Sequence, residues 1–278
     1  MDAETSGAAA PPQEKKSEGL KETTRFLLFL FLGALILRSF IIAPFSIPSG
    51  SMLPRMMIGD YLFVAKWPYG YSRYSFPFGL GGFDGRIFEN MPERGDVAVF
   101  RYPGNMDEDY VKRVVGLPGD LVEVRNGAVF INGEEVQRTR VADFLMPISE
   151  NSPCRVVDPN IRRIVQGDEG EQLCAYPRFR ETLPSRRSYY VLDQTTGPGD
   201  TFPPTIVPEG HYFVMGDNRD DSFDSRFPVA VGGVSLLPAE NLVGRALITF
   251  FSTDGSADYL KPWTWFSAAR WNRIGKTY

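Results

Sequence analysis

Histidine is almost missing from this sequence: its 278 residues include one, His211. Mechanisms that need two imidazole ligands or a histidine pair are therefore excluded. With only Cys154 and Cys174 besides, a cysteine-rich zinc site is excluded too. An excess of positive charge is also lacking. The 30 Lys and Arg are outnumbered by 34 Asp and Glu, for a formal net charge of −4, which argues against a nucleic-acid partner. Beyond residue 58 no segment combines helix length with an apolar period of about 3.6 residues, and there is no internal repeat. What remains is ordinary for a folded protein: 43% hydrophobic and 23% charged residues, which excludes wholesale disorder. The 27 Gly and 22 Pro amount to about one residue in six and point to many turns.

One long apolar run is present, near the N-terminus. Phe26 to Leu37 is apolar throughout, Arg38 and Ser39 interrupt it, and Phe40 to Phe45 resumes it. As a helix the run would be about 30 Å long, the thickness of a bilayer core. We assign residues 1–24, rich in Ala, Pro, Glu, Lys and Ser, to a flexible tail and 25–44 to a transmembrane anchor that ends at Pro44. Arg38 falls well inside that span and has to snorkel or face protein. A cleaved signal peptide would need an Ala-x-Ala site after the run, and none follows. A buried globular helix would show an amphipathic face, and this one does not. Lys15, Lys16, Lys21 and Arg25 precede the run, so the positive-inside rule keeps the tail cytoplasmic and exports the rest in a single pass. In an oxidising compartment Cys154 and Cys174 can pair, closing a loop of about 21 residues worth roughly 3 kcal/mol. The alternative is two free thiols.

The exported part reads as strands: Asp60–Lys66, Asp96–Tyr102, Leu121–Arg125, Ala128–Ile131, Ser188–Leu192, His211–Met215 and Gly244–Phe251, with a hairpin signal at Asn126-Gly127. The expected fold class is mainly β, an antiparallel-sheet catalytic domain on an N-terminal transmembrane helix. We divide it into a β-domain of residues 45–136 plus 206–252, an inserted β subdomain at 137–205, and a Trp-rich C-terminal tail at 253–278. The tail Trp residues suit a membrane interface or core filling equally well.

Four blocks hold residues that plain structure does not need. In Ile47–Pro54, Pro48, Gly50 and Pro54 bend the backbone and place two hydroxyls, Ser49 and Ser51, within about 20 Å of the anchor. A serine nucleophile needs a base. His211 is the only imidazole, but it follows a Pro-Glu-Gly turn and reads as a solvated strand start. A lysine base must be neutral near pH 7–8, which asks for a shift of about 3 pKa units from about 10.4 by burial. Lys112 in Tyr110–Asp120 sits among apolar residues on a strand. Tyr110, Lys112 and Val114 share one face and Val111, Arg113 and Val115 the other, so one of the two cations is expected inside and one outside. The block Gly216–Arg226 carries four Asp and two Arg; Asp217, Asn218 and Asp220 could suit calcium, but the spacing and the arginines favour a network of Asp–Arg pairs walling a site. Arg94–Pro103 reads as a turn and a strand with no chemistry.

Taken together, Pro44–Lys66, Gly95–Pro103, Asp109–Asp120, Gly210–Arg226 and Pro238–Arg245 resemble the type I signal peptidases, membrane-bound serine proteases that remove signal peptides from exported proteins. Cys174–Pro184 is similar to the Gram-negative form of the family. The resemblance implies Ser51 as nucleophile and Lys112 as general base, forming an acyl-enzyme. It implies an oxyanion hole made of the Ser49 hydroxyl and the Ser51 backbone N–H. Ser222 would orient the lysine, with Asp224 and Arg226 as a supporting ion pair. Ile47, Pro48, Met52, Met56 and Val111 would line S1, with Phe45 and Val99 in S3 and Tyr110 beside them, a crowded site suited to Ala-x-Ala sequences. Arg55 stands where the family usually has Thr, and Met56 where it often has Leu. Implied partners are preprotein signal peptides and membrane lipid, with no nucleic acid, no metal and no cofactor. The implied setting is the bacterial inner membrane, with a monomeric enzyme facing the periplasm. A maturation peptidase with one substrate is a narrower reading. A tethered binding module would predict loss of the serine or lysine, and a self-cleaving repressor would need a DNA-binding domain where the anchor stands.

Overall fold

The computed structural model describes residues 14–76, 82–155, 163–168, 170–258 and 260–278; the first 13 residues of the expected tail lie outside the described residues. Helix α1 runs Glu14–Ile36 and widens into a π-helical turn at Leu37–Ile41. Strands β1 (Ile42–Ser46) and β2 (Asp60–Ala65) follow, then a ribbon of β3 (Tyr71–Ser72) with β4 (Arg86–Ile87). Next come β5 (Val97–Tyr102), β6 (Asn105–Gly116), β7 (Leu121–Arg125), β8 (Ala128–Ile131) and β9 (Glu134–Glu135). A long pair, β10 (Gln137–Pro147) and β12 (Gln172–Thr182), brackets β11 (Ile164–Gln166) and leads to β13 (Ser188–Leu192). The chain returns through β14 (Phe202–Ile206), β15 (His211–Met215), β16 (Leu237–Pro238) and β17 (Leu242–Ser252), and ends beyond a short helix α2 (Thr264–Ala268).

The helix is longer at its start and shorter at its end than the expected anchor helix of residues 25–44. The helix begins at Glu14 and not at residue 25, because the polar stretch Glu14–Thr24 is rich in Glu and Lys, good helix formers, and extends the apolar helix backwards. It stops at Ile41 and not at Pro44. Residues 42–46 form the edge strand β1, where a proline without an N–H is tolerated. The stretch apolar and long enough to cross a membrane is therefore Gly19–Ile41, and Arg38 lies in its last turn, within reach of an interface.

Seven antiparallel strands form the main sheet in the order β1-β2-β17-β5-β6-β15-β16. A second sheet, β14-β7-β8-β9, includes the hairpin foreseen at Asn126-Gly127, whose two residues adopt φ of 48° and 77°, as a tight primed turn requires. A third sheet joins β10, β11, β12 and β13. It ends at Leu192, whereas β14 pairs with β7, so Phe202–Thr205 belong with the sheet outside the insertion.

Apolar side chains cover both faces of the main sheet. Ile47, Met52, Met56, Leu62, Val64, Val97, Val99 and Val111 form a cluster on one side. Ala98, Phe100, Val114, Tyr212 and Val214 belong to a cluster on the other. Both neighbours on β6 are consequently buried, Lys112 at 4% and Arg113 at 5% exposure. The one-in, one-out expectation fails because alternation marks a solvent face only when one face is wet. Burial of Arg113 is satisfied by Asp217, at 2.7 and 2.5 Å, and by the Gly95 carbonyl.

The C-terminal segment folds back onto β17, pairing Thr277 with Ile248. Arg273, buried, holds Asp60 and the Arg55 carbonyl, tying the chain end to the loop that follows Ser51. Arg273→Met leaves the buried Asp60 carboxylate without that partner and is expected to destabilise the protein by about 3 kcal/mol, read from thermal unfolding in detergent. Trp263, Trp265 and Trp271 are exposed, so core filling is not their role.

Candidate active site

The Ser51 turn is short, and its shape is imposed from a distance. Leu53 N–H donates to the Gly50 carbonyl at 3.1 Å, and Asn218 clamps both sides of the turn. The Asn218 backbone N–H donates to the Ser51 carbonyl at 3.0 Å and its side-chain amide to the Gly50 carbonyl at 3.1 Å. Leu53 and Met57 pack with Met146, Tyr176 and Leu192 of the third sheet, which holds the loop from behind.

Lys112 reaches this turn from β6. Its Nζ lies 2.8 Å from Ser51 Oγ and 3.2 Å from the Val111 carbonyl. Ser49 Oγ is 3.4 Å from Ser51 Oγ. The half-buried Tyr110 ring lies 5.4 Å from the amine. Burial drives the Lys112 pKa down to about 8, against the opposing pull of Asp224, Asp221 and Asp217 and with help from Arg226. A buried amine of that kind beside a hydroxyl can take its proton near neutral pH.

Support comes from Gly216–Arg226. Asp224 is fully buried and accepts from Ser222 Oγ at 2.8 Å, Gly216 N–H at 2.9 Å and Arg226 Nε at 2.8 Å. Burial alone would raise its pKa, but Arg226 and these hydrogen bonds outweigh it and hold the carboxyl below its usual value. The Ser222 hydroxyl is thus committed to Asp224, and no bond joins it to Lys112 among the described residues. Of the Asp–Arg network expected here, only Asp224–Arg226 closes within the block. Asp217 pairs with Arg113, Arg219 with Glu181 and Asp221 with Arg155. The hard-oxygen set proposed for calcium is likewise dispersed: Asp217 holds Arg113, Asn218 holds the Ser51 turn, and Asp220 accepts from the Gln194 N–H.

Most of the implied pocket residues converge, but Tyr110 packs against the cluster on the other face of the sheet. Ile47, Met52, Met56, Val99 and Val111 belong to one buried cluster, with Phe45 packed against it, while Pro48 is exposed at its rim. His211 starts β15 opposite Pro238, its Nδ1 3.1 Å from the Glu209 carbonyl, and takes no part in the Ser51 cluster. Cys154 and Cys174 are joined by a disulfide with Cα atoms 5.3 Å apart. Two residues escaped the sequence reading. Asn218 was visible only as a hard-oxygen candidate. Gly216 gave no signal, although a Cβ there would lie 2.2 Å from Ser222 Oγ and 2.6 Å from the Ser51 carbonyl oxygen.

An apolar N-terminal helix carrying an antiparallel β-domain, with a lysine amine buried against a serine, describes a membrane-anchored hydrolase in outline. Residues 20–251 match the family described as signal peptidase, peptidase S26. Signal peptidase I of Rickettsia typhi is 36% identical over 248 residues, covering 86% of this chain and 83% of that protein. Signal peptidase I of Rickettsia prowazekii is 37% identical over 234 residues, covering 81% and 78%. The crystal structure of a signal peptidase I from Enterococcus faecalis shares 26% identity over 56% of this chain and 97% of that one, at a TM-score of 0.29, too low to bear on the fold. The chain belongs to the signal peptidase family and is a serine endopeptidase.

Proposed function

We propose that this chain removes N-terminal signal peptides from exported preproteins after Ala-x-Ala-type sites, with Ser51 as nucleophile and Lys112 as general base. The observation that carries the reading is the buried Lys112 amine 2.8 Å from Ser51 Oγ. The neutral amine takes the hydroxyl proton as Oγ attacks the scissile carbonyl carbon. Negative charge on the carbonyl oxygen is met by the Ser51 N–H and the Ser49 hydroxyl, donors worth about 3–4 kcal/mol each in such sites. The ammonium then returns its proton to the leaving amine, and the mature chain departs. Water attacks the acyl-serine ester through the same lysine and frees the signal peptide.

The substrate is taken in extended form. β1 is a sheet edge, and β6 pairs with β15 only from Arg113 onward, so its outer edge at residues 105–112 is open among the described residues. An added strand along such edges sends alternate side chains into the cluster around Met52, Met56 and Val111, whose close packing favours alanine. Ser222, Asp224 and Arg226 keep the wall beside Lys112 rigid. The enzyme works as a monomer at the outer face of the bacterial inner membrane, its tail cytoplasmic, and the exposed tryptophans near the C-terminus rest on lipid.

The test is cleavage of an Ala-x-Ala preprotein by the detergent-solubilised protein. Wild type is expected to cut after the second alanine and Ser51→Ala not at all. Because the base must be unprotonated, kcat/KM should rise with pH through a midpoint near the Lys112 value of about 8. Cleavage that survives Ser51→Ala overturns the reading.

A further inference from the structure

Behind the Ser51 loop lies a cleft of about 1000 Å³ between the main sheet and the third sheet. Eight Arg or Lys side chains line it against one carboxylate side chain, Asp96, in a chain whose net charge is negative. Asp96 is already shared by Arg187 at 2.7 Å and Arg245 at 3.8 Å. Arg113 and Arg273 are committed to Asp217 and Asp60. That leaves Arg55, Arg178, Arg180 and Lys276 with no carboxylate within ion-pair distance among the described residues. Arg178 donates to the Ala142 carbonyl and lies over the Tyr190 ring, Arg180 reaches the Ser188 hydroxyl, and Arg55 donates to the Thr277 carbonyl and lies over the Tyr278 ring. Lys276 has its pKa lowered by partial burial and then by Arg273 and Arg55, against the opposing pull of Asp60, so it sits among other cations.

We propose that this cleft binds the mature part of the preprotein just beyond the cleavage site, selecting segments that carry carboxylates. The inference rests on the proposed peptidase function. Two observations point to a peptide. Pro54 and Arg55, three and four residues past Ser51 on the same loop, line the cleft, which places it beside the nucleophile, where the chain beyond the scissile bond has to lie. Its walls also hold Phe144 and Tyr190, partly exposed aromatic side chains that suit an extended backbone. Four cations without carboxylate partners supply the complementary charge, and such partly exposed pairs act chiefly on encounter and selection.

The test compares two preproteins with the same signal peptide and Ala-x-Ala site, whose mature residues two to eight carry four Asp/Glu or four Gln. The full-length enzyme in neutral detergent is expected to cleave the acidic one with kcat/KM about tenfold higher, a lead that vanishes near 0.5 M salt. Arg178→Glu with Arg180→Glu should erase the lead and leave the Gln substrate unchanged; Lys276→Glu, on a separate element, should reduce it. Equal kcat/KM for the two substrates overturns the proposal. So does a lead that persists in the variants while their binding to phosphatidylglycerol vesicles is lost, which would make the cleft a lipid site. If wild type cleaves neither preprotein, the peptidase reading fails on its own. The cleft is then judged by fluorescence anisotropy with a labelled acidic peptide: salt-sensitive binding lost in the double variant upholds it, and no binding overturns it.

Discussion

Lys112→Met is expected to abolish peptide hydrolysis and at the same time make the protein more stable at neutral pH. The two effects have one cause. Burial lowers the lysine pKa from 10.5 to about 8, so the folded protein disfavours the charged form. In the unfolded chain the amine keeps its proton up to pH about 10.5. Between pH 8 and 10.5 unfolding therefore takes up a proton, and stability climbs as pH rises through that window. Below pH 8 the penalty is fully present, and at about 1.4 kcal/mol per unit it reaches roughly 3 kcal/mol. Methionine has nearly the same shape and no charge to desolvate, so at pH 6 its variant should unfold at higher temperature than wild type. At pH 10 the advantage should have nearly gone. Activity should fall by about 10⁴-fold or more, because no other group takes the Ser51 proton. Thermal unfolding at the two pH values, beside preprotein cleavage, checks both halves. A variant no more stable at pH 6 than wild type would show that the fold does not disfavour the charged lysine.

Much of this arrangement is legible locally. Leu121–Arg125, Ala128–Ile131, Ser188–Leu192 and His211–Met215 form strands with the expected ends, because β-branched and aromatic runs are bounded by turn residues. The Asn126-Gly127 turn follows from backbone sterics alone. What escaped has a common origin in contacts between distant segments. Arg273 finds Asp60 across 213 positions and Asn218 finds Gly50 across 168, and no local pattern announces either. The joint burial of Lys112 and Arg113 depends on what covers each face of β6, which alternation along one strand cannot reveal. The helix start failed for another reason: apolar periodicity marks where a helix is buried or lipid-facing, while polar helix formers carry it further.

The remaining large effect is expected from a residue that bears no functional group. Gly216→Ala should lower kcat by about 10²-fold or more while leaving Ser51 and Lys112 chemically intact. Gly216 sits where the Asp224 wall meets the nucleophile turn, its N–H donating to Asp224 Oδ2 at 2.9 Å. An added methyl would lie 2.2 Å from Ser222 Oγ, 2.4 Å from Ser222 Cβ and 2.6 Å from the Ser51 carbonyl oxygen. The last of these is backbone, so no rotamer change relieves it. The Ser51 turn must therefore give way, and Ser222 must shift with it, straining its bond to Asp224. Displacing a nucleophile by about 1 Å is enough for the predicted loss. Because the change acts on position and not on the base, the pH midpoint of kcat/KM should stay near 8 while its plateau falls. Gly210→Ala provides the comparison for backbone strain alone: φ there is 70°, yet an added Cβ meets nothing within 4 Å. It should cost about 1 kcal/mol of stability and leave turnover near wild type. If Gly216→Ala turns over substrate as fast as Gly210→Ala, the close approach at Gly216 does not position the nucleophile.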